Sequence, residues 1–238
     1  TPTTETSPSP LHAAFPTFDK PGFAEKIVAA CVSNCSVPVT VKIRKDFKSG
    51  KLLAPDFAAR MEQAGASAVA VHGRSAGQLY SGSADWSVID AVADRVSIPV
   101  IGTGDVFCAQ DAANMLAQTA ASAVFIARGT YGNPWIFQDA AALSAGSPLP
   151  VHDACERLAA LREHVELLDS LGGHMAKART FVTWYLKGIP HAAFWRGRSV
   201  RYSTTEEFLD LADAIERDLA CCEELAGKGL PIPHDPFI

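Results

Sequence analysis

Four short apolar runs, rich in Val and Ile, alternate with helix-like segments between residues 37 and about 144. The runs are VPVTVKIR, SAVAVHGR, SIPVIGTGD and SAVFIARG. After the first run comes PDFAARMEQAG, with Pro55 at the expected first helical position and Gly65 at the expected C-cap. Strands separated by helices pair in parallel, because the chain must cross over the sheet between them. The alternation therefore predicts an α/β fold with four parallel βα units.

The polar residues of these runs collect at the carboxyl ends of the expected strands. In chain order they are Lys42 and Arg44, His72 and Arg74, Gly104 and Asp105, and Arg128 and Gly129. In parallel α/β folds this edge of the sheet forms the ligand-binding rim. Side chains alternate along a strand, so Lys42 shares one face with Thr40 and Arg44. We expect Lys42 to point into a barrel mouth.

The third and fourth strand ends have the chemistry of a phosphate-binding site. The segments GTGD and ARG place glycines where backbone N–H groups can approach an anion, and Arg128 can add a bidentate charge. Phosphate sites of (β/α)8 barrels commonly follow strands seven and eight, so the four units fit the second half of such a barrel. Structural alternatives exist: a surface Lys42, a packed His72, turn glycines at Gly102 and Gly104, and Asp105 as a helix cap.

The region after about residue 150 is expected to be helical and locally basic. An apolar stripe follows a potential cap at Asp153, and STTEEF fits a capping box. From Ser170 to Thr205 the chain carries six of its 21 Lys and Arg and none of its 26 Asp and Glu. Interleaved aromatic residues suit binding of RNA phosphates and bases. The alternative is a helical core with a solvated basic face, and we expect FVTWYL to pack inward while the cations face outward.

Composition and cysteine spacing narrow the class of protein. With 48% hydrophobic and 20% charged residues, the 238-residue chain falls in the globular range. Its six cysteines form no C-x-x-C pair and no zinc-ribbon spacing, which predicts neither disulfides nor a metal site and indicates a reducing cytoplasm. No apolar run approaches the roughly 20 residues that span a bilayer. The opening TPTTETSPSP lacks a signal-peptide pattern and is typical of a disordered segment.

The sequence closely resembles the tRNA-dihydrouridine synthases. The shared motifs, between about Val37 and Tyr202, are PVTVKIR, HGR followed by QLYSGSADW, IPVIGTGD, ARGTYGNPWIF and ARTFVTWYLKGIP. HGR with YSGSADW, and GNPWIF, are specific to that family, whereas GTGD alone is a weak signal. Two positions depart from the family pattern. Thr103 stands where Asn is usual before Gly-Asp, and Ala127 stands where Gly is common before Arg.

The resemblance implies a flavoenzyme in which NADPH reduces FMN, hydride passes from the flavin to a uracil ring of tRNA, and a cysteine protonates the neighbouring carbon. A flipped-out uridine beside a flavin suits the polar and aromatic loop HGRSAGQLYSGSADW. The implied FMN contacts are Lys42 and His72 at the ring and Thr103, Gly104, Asp105, Ala127 and Arg128 at the ribityl phosphate. The predicted tRNA contacts are Arg44, Arg74, Gln78, Tyr80, Lys177, Arg179, Arg196, Arg198 and Arg201.

A closed barrel needs eight βα units, and this chain supplies four. We therefore expect a lead-in and helix over residues 1–36, a flavin-binding partial TIM barrel over 37–150 and a helical tRNA-binding domain over 151–238. None of the six cysteines stands in the family's Asn-Met-Gly-Cys-Pro setting, so the resemblance implies an N-terminally truncated chain that lacks the catalytic cysteine and is inactive by itself. Its open barrel edges favour self-association. Two other interpretations stay open: a non-catalytic RNA-binding remnant, and a phosphate-binding half-barrel enzyme that closes by dimerisation.

Overall fold

The computed structural model of the protein describes residues 20–46, 50–233 and 236. The N-terminal decapeptide that we expect to be disordered lies outside the described residues. The first helix, α1, is followed by alternating strands and helices and then by four more helices. Their bounds are α1 (Pro21–Asn34), β1 (Thr40–Arg44), α2 (Ala54–Gln63), β2 (Ala68–His72), α3 (Ser87–Ala93), β3 (Val100–Thr103), α4 (Ala109–Gln118), β4 (Ala123–Phe125), α5 (Ile136–Ser144), α6 (Ala154–Ser170), α7 (Ala178–Tyr185), α8 (Ala192–Ser199) and α9 (Thr205–Gly227).

The four strands form one parallel sheet in the order β1-β2-β3-β4. The predicted α/β fold with four parallel strands is therefore confirmed. The register pairs Arg44 with His72 and His72 with Thr103, so these residues stand in one row at the carboxyl edge of the sheet. Within the described part of the chain, β1 and β4 are the two edge strands.

The chain divides into two compact units. The first comprises residues up to Gly129 together with Ile136–Ser147, and the second comprises Thr130–Trp135 together with residues from Pro148 onward. The core of the first unit joins one face of the sheet to the helices that cover it. Its buried side chains include Ile43 and Val71 from strands and Phe57, Met61, Ile89 and Met115 from helices. Burying a side chain of this size contributes about 1.5–3 kcal/mol to stability.

Helix α2 begins one residue before the position that the sequence predicts. Ala54 is its first residue and Pro55 its second, and Ala64 is the C-cap, with Gly65 directly after it at φ +98°. The first turn tolerates proline at either position, because its backbone N–H groups have no partner within the helix. The prediction was therefore wrong by one residue at each end, without consequence for the packing of the helix.

The second unit is built from α6 to α9 around its own core. Asp153 accepts a hydrogen bond from the Glu156 backbone N–H at 2.8 Å, which confirms the predicted cap of α6. Thr204 and Glu207 form the predicted capping box of α9. Phe181, Val182, Tyr185 and Leu186 are buried, so FVTWYL packs inward as expected. None of the helices described by the structure is both long and apolar enough to cross a membrane.

Candidate functional site

Asp105 lies at the centre of a group of cations at the carboxyl edge of the sheet. Arg74 donates to it through two hydrogen bonds, from Nη1 to Oδ1 at 2.6 Å and from Nη2 to Oδ2 at 2.8 Å. The Ala84 backbone N–H donates to Oδ2 at 2.7 Å, and Arg128 Nη2 donates to Oδ1 at 3.3 Å. Burial raises the pKa of Asp105, but the hydrogen bonds from Arg74 and Ala84 outweigh burial and hold the pKa below its ordinary value. The carboxylate therefore stays charged and orients two guanidinium groups.

The side chain of Arg74 is buried, with only 3% of its surface exposed. Besides binding Asp105, it donates to the carbonyl oxygens of Ser81 and Gly82 in the loop between β2 and α3. The structure therefore gives Arg74 the role of positioning this loop and Asp105. That Arg74 also contacts tRNA stays a prediction.

His72 packs against the backbone of Gly104. A Cβ atom added to Gly104 would lie 2.8 Å from His72 Cδ2, and Gly104 has φ +116°, so only glycine allows this close approach. Trp86 Nε1 donates to the Gly104 carbonyl oxygen at 3.0 Å and fixes the glycine from the other side. Trp86 stands at the end of the YSGSADW motif but was not predicted to belong to the site.

The imidazole of His72 is buried and neutral. Burial, followed by repulsion from Arg44, Lys42 and Arg74, lowers the pKa of His72 from 6.5 to about 4. Nε2 of this ring is buried, and no described residue forms a hydrogen bond with it. Buried polar atoms in native proteins are nearly always paired, so an unpaired nitrogen at this edge indicates a place where a ligand contributes the missing partner.

We expect His72 to make stability depend on pH in a defined window. Because its pKa is lower in the folded state than its ordinary value of 6.5, the contribution of neutral His72 is complete above about pH 6.5 and is lost as pH falls towards 4. A shift of this size corresponds to about 3 kcal/mol. Urea unfolding of the wild type and of His72→Gln at several pH values should show a smaller loss in the variant. Equal losses in both proteins would contradict a neutral, buried His72.

Lys42 and Arg44 lie on the same face of β1, as predicted from the strand alternation. The side chain of Lys42 is accessible to solvent, yet partial burial of its ammonium group, followed by repulsion from Arg44, lowers its pKa. Arg44 Nη1 donates to the Ser75 carbonyl oxygen at 2.9 Å and to that of Leu79 at 3.4 Å. Arg44 therefore also supports the loop between β2 and α3, whereas the side chain of Lys42 stays exposed to solvent.

The Arg128 guanidinium lies close to two aromatic rings. Its Cζ atom is 4.4 Å from the centroid of the Tyr80 ring and 5.0 Å from that of Phe107. The structure therefore brings together a predicted cofactor residue, Arg128, and a predicted tRNA residue, Tyr80. With about a third of its side chain exposed, Arg128 is more accessible to a ligand than Arg74. Phe107 belongs to this group as well and was not assigned from the sequence.

Within the part of the chain that the structure describes, no feature marks the remaining predicted residues of the first unit as ligand contacts. Gln78 Oε1 accepts a hydrogen bond from the Ser75 backbone N–H at 2.9 Å, which fixes the loop turn rather than a ligand. Thr103 is buried at the end of β3. Ala127 is exposed and directly precedes Arg128. Asp105 does not cap the following helix; the N-cap of α4 is Cys108.

In the second unit, two of the predicted tRNA contacts lie in one groove. Arg179 and Arg196 line a groove of about 380 Å³ with Thr180, Thr183, Gly197, Ser199 and Val200. Arg179 Nε also donates to the Tyr202 carbonyl oxygen at 2.9 Å. Lys177, Arg198 and Arg201 are exposed and do not line this groove. The basic segment is thus partly a groove and partly a solvated surface.

Comparison with known proteins agrees with the motifs that form this site. Residues 17–220 match the sequence model of the dihydrouridine synthase family. This chain belongs to that family. It is 34% identical over 197 residues to a probable tRNA-dihydrouridine synthase 1 of Synechocystis sp., covering 82% of this chain and 56% of the relative. It is 37% identical over 180 residues to a probable tRNA-dihydrouridine synthase of Rickettsia bellii, covering 74% and 55%. A Mycobacterium tuberculosis relative of the same name is 36% identical over 199 residues, covering 80% and 51%.

The chain spans about half the length of the curated relatives that it matches. In this member of the dihydrouridine synthase family, the HGR and YSGSADW motifs contact the same segment. Arg74 of HGR binds the Asp105 carboxylate, and Trp86 of YSGSADW donates a hydrogen bond to the Gly104 carbonyl oxygen. The family motifs therefore build the cation-rich edge itself and are not confined to separate loops.

Proposed function

We propose that this chain provides one side of the FMN site and the tRNA-binding helices of a tRNA-dihydrouridine synthase, which reduces uridine in tRNA to 5,6-dihydrouridine with NADPH. The observation that carries the proposal is the buried, unpaired Nε2 of His72 beside Gly104. Lys42 and Arg44 repel a proton on this ring, and Arg128 lies at the Asp105 carboxylate of the same edge, so the edge has the positive charge that a phosphorylated cofactor requires. Family membership supports the same reaction, which we assign to the cytoplasm.

The residues at this edge fit FMN, but Asp105, which was predicted to contact the phosphate, has a different role. When bound, FMN supplies the hydride-transfer chemistry. Arg128 is then the phosphate ligand, Lys42 lies at the electron-rich ring, and the neutral His72 offers Nε2 as the hydrogen-bonding atom. Asp105 does not contact the phosphate, because its carboxylate would repel an anion; instead it orients Arg128. Arg74 and Ala84 keep Asp105 in place for that purpose.

We also propose that the four βα units are the second half of a (β/α)8 barrel. One face of the sheet is covered by helices, whereas Lys42 on the other face is exposed and Phe125 is 49% exposed. A barrel interior of the complete enzyme would cover that face. The family's catalytic cysteine would then act from the other half.

The FMN assignment is tested by titrating the full chain with FMN and following the quenching of flavin fluorescence. Arg128→Ala should weaken binding by about 10–100-fold, because it removes hydrogen bonds to a charged group. Arg95→Ala is the matched control: Arg95 forms an exposed ion pair with Asp56 and should bind FMN like the wild type. If the chain needs its other half for measurable affinity, that half is added in trans.

Equal FMN affinity of Arg128→Ala and wild type would overturn the assignment. A chain that binds tRNA in a salt-dependent manner but never binds FMN, with or without the other half, would favour the non-catalytic RNA-binding interpretation. The observation that favours this second candidate function is the groove lined by Arg179 and Arg196.

A further inference from the structure

Three side chains with metal-binding atoms converge in the second unit, and none of them is among the residues predicted to bind FMN or tRNA. They are His191, Asp218 and Cys222. His191 Nδ1 lies 3.0 Å from Asp218 Oδ1 and 2.9 Å from Oδ2. Cys222 Sγ lies 3.9 Å from His191 Nδ1 and 3.8 Å from Asp218 Oδ1. The group is well shielded, because the side chains of His191 and Asp218 are 7% and 6% exposed.

The backbone places these side chains in two different ways. Asp218 and Cys222 are four residues apart on α9, so they lie on the same face of that helix. His191 precedes α8 and has φ +52°, a left-handed conformation that is costly for a residue other than glycine. Such strain persists only where surrounding contacts compensate for it, and here it directs the imidazole at α9.

The outer atoms of the ligand groups have hydrogen-bond partners of their own. His191 Nε2 lies 2.6 Å from the Pro233 carbonyl oxygen, and Trp195 Nε1 donates to Asp218 Oδ2 at 2.8 Å. Both nitrogens of His191 therefore face oxygen acceptors, whereas a neutral imidazole carries only one N–H. Two states satisfy both acceptors: an imidazolium paired with Asp218, or a metal cation at Nδ1 with Nε2 donating to Pro233 in the way that metal-bound histidines donate to carbonyl groups.

We propose that His191, Asp218 and Cys222 bind one divalent cation of the zinc type. Thiolate, imidazole and carboxylate are the ligands that zinc prefers, and tetrahedral bond lengths imply separations of about 3.3–3.6 Å between neighbouring ligand atoms. The separations among His191 Nδ1, Asp218 Oδ1 and Cys222 Sγ are 3.0–3.9 Å, close to those values, so shifts of a few tenths of an ångström complete the site. A water molecule takes the fourth position.

The role of this ion is structural. It joins the start of α8 to α9, and His191 links both to the segment after α9 through its contact with the Pro233 carbonyl oxygen. Cysteine spacing does not predict this group, because it contains only one cysteine. The only local signal is the spacing of Asp218 and Cys222.

Cobalt is a suitable probe, because a Co²⁺ ion bound to a thiolate gives a charge-transfer absorption band in the near ultraviolet. The full chain, freed of metal with EDTA and kept reduced, is titrated with Co²⁺. Wild type and Cys221→Ala should both show the band at one equivalent of cobalt, whereas Cys222→Ala should lose it. Cys221 is the matched control, since it neighbours Cys222 on α9 but is exposed.

Zinc provides a second readout. At about 100 times its dissociation constant, Zn²⁺ should raise the melting temperature of wild type and Cys221→Ala by about 5–10 °C and leave that of Cys222→Ala unchanged. Asp218→Asn, which keeps the size of the side chain, should behave like Cys222→Ala and covers the case in which the cysteine variant does not fold. Absence of the cobalt band in wild type, or its persistence in Cys222→Ala, would overturn the proposal in favour of a metal-free ion pair between His191 and Asp218.

Discussion

Arg74→Ala is expected to lower the free energy of unfolding of the first unit by about 2–4 kcal/mol. The substitution removes two hydrogen bonds to Asp105 and leaves that carboxylate partly buried with Arg128 as its remaining cation. Breaking a buried ion pair by removing one partner typically costs about 3–5 kcal/mol, and the 23% exposure of Asp105 reduces this figure. The substitution also removes the hydrogen bonds that Arg74 donates to the carbonyl oxygens of Ser81 and Gly82.

Hydrogen exchange of the β2 and β3 amides during urea titration measures this effect within the first unit alone. Arg95→Ala is the control for loss of an arginine, because its ion pair with Asp56 is exposed and contributes at most about 1 kcal/mol. Arg74→Lys keeps the charge but not the two parallel hydrogen bonds, so its effect should be intermediate. A loss in Arg74→Ala no greater than that in Arg95→Ala would show that Asp105 does not depend on Arg74.

Gly104→Ala is the second substitution for which we expect a large effect, a destabilisation of about 3 kcal/mol. The added Cβ would lie 2.8 Å from both Ala84 Cβ and His72 Cδ2, so the imidazole must move. The φ of +116° adds strain of about 1–3 kcal/mol for any residue with a side chain. If our functional proposal holds, the displaced His72 also abolishes FMN binding.

Gly22→Ala is the matched control for this substitution. Gly22 lies in the first turn of α1, where an added Cβ has no neighbour closer than 4.0 Å and φ is not positive. Alanine should therefore be neutral there or stabilising by up to about 1 kcal/mol. Urea unfolding of both variants, followed by the same exchange measurement, gives the comparison. Similar stabilities of the two variants would mean that the carboxyl edge of β3 adapts easily and that the contact between Gly104 and His72 is not rigid.

Local patterns were sufficient for most of the secondary structure and for the edge of the sheet at which the candidate site lies. The four apolar runs became four parallel strands, and the polar residues Arg44, His72 and Thr103 fell into one row at the carboxyl edge. The caps at Asp153 and Thr204 were also predictable, because a cap is formed by residues only three positions apart. Family membership followed from the same motifs.

Partners that are distant in sequence were not predictable. Arg74 and Asp105 are 31 residues apart, and only the tertiary structure shows that they pair with each other. The same holds for Arg128 close to Tyr80 and Phe107, and for His191 beside Asp218 and Cys222.

The amino-acid sequence by itself thus determined the strands, the helices, the caps and the edge of the sheet where chemistry is possible, because these depend on side-chain periodicity and on neighbours within a few residues. Tertiary structure alone decided which cations are accessible and which are committed to holding the loop. The reason is physical: a guanidinium's role depends on its burial and on its acceptors, and both are set by strand register and packing between segments far apart in the chain.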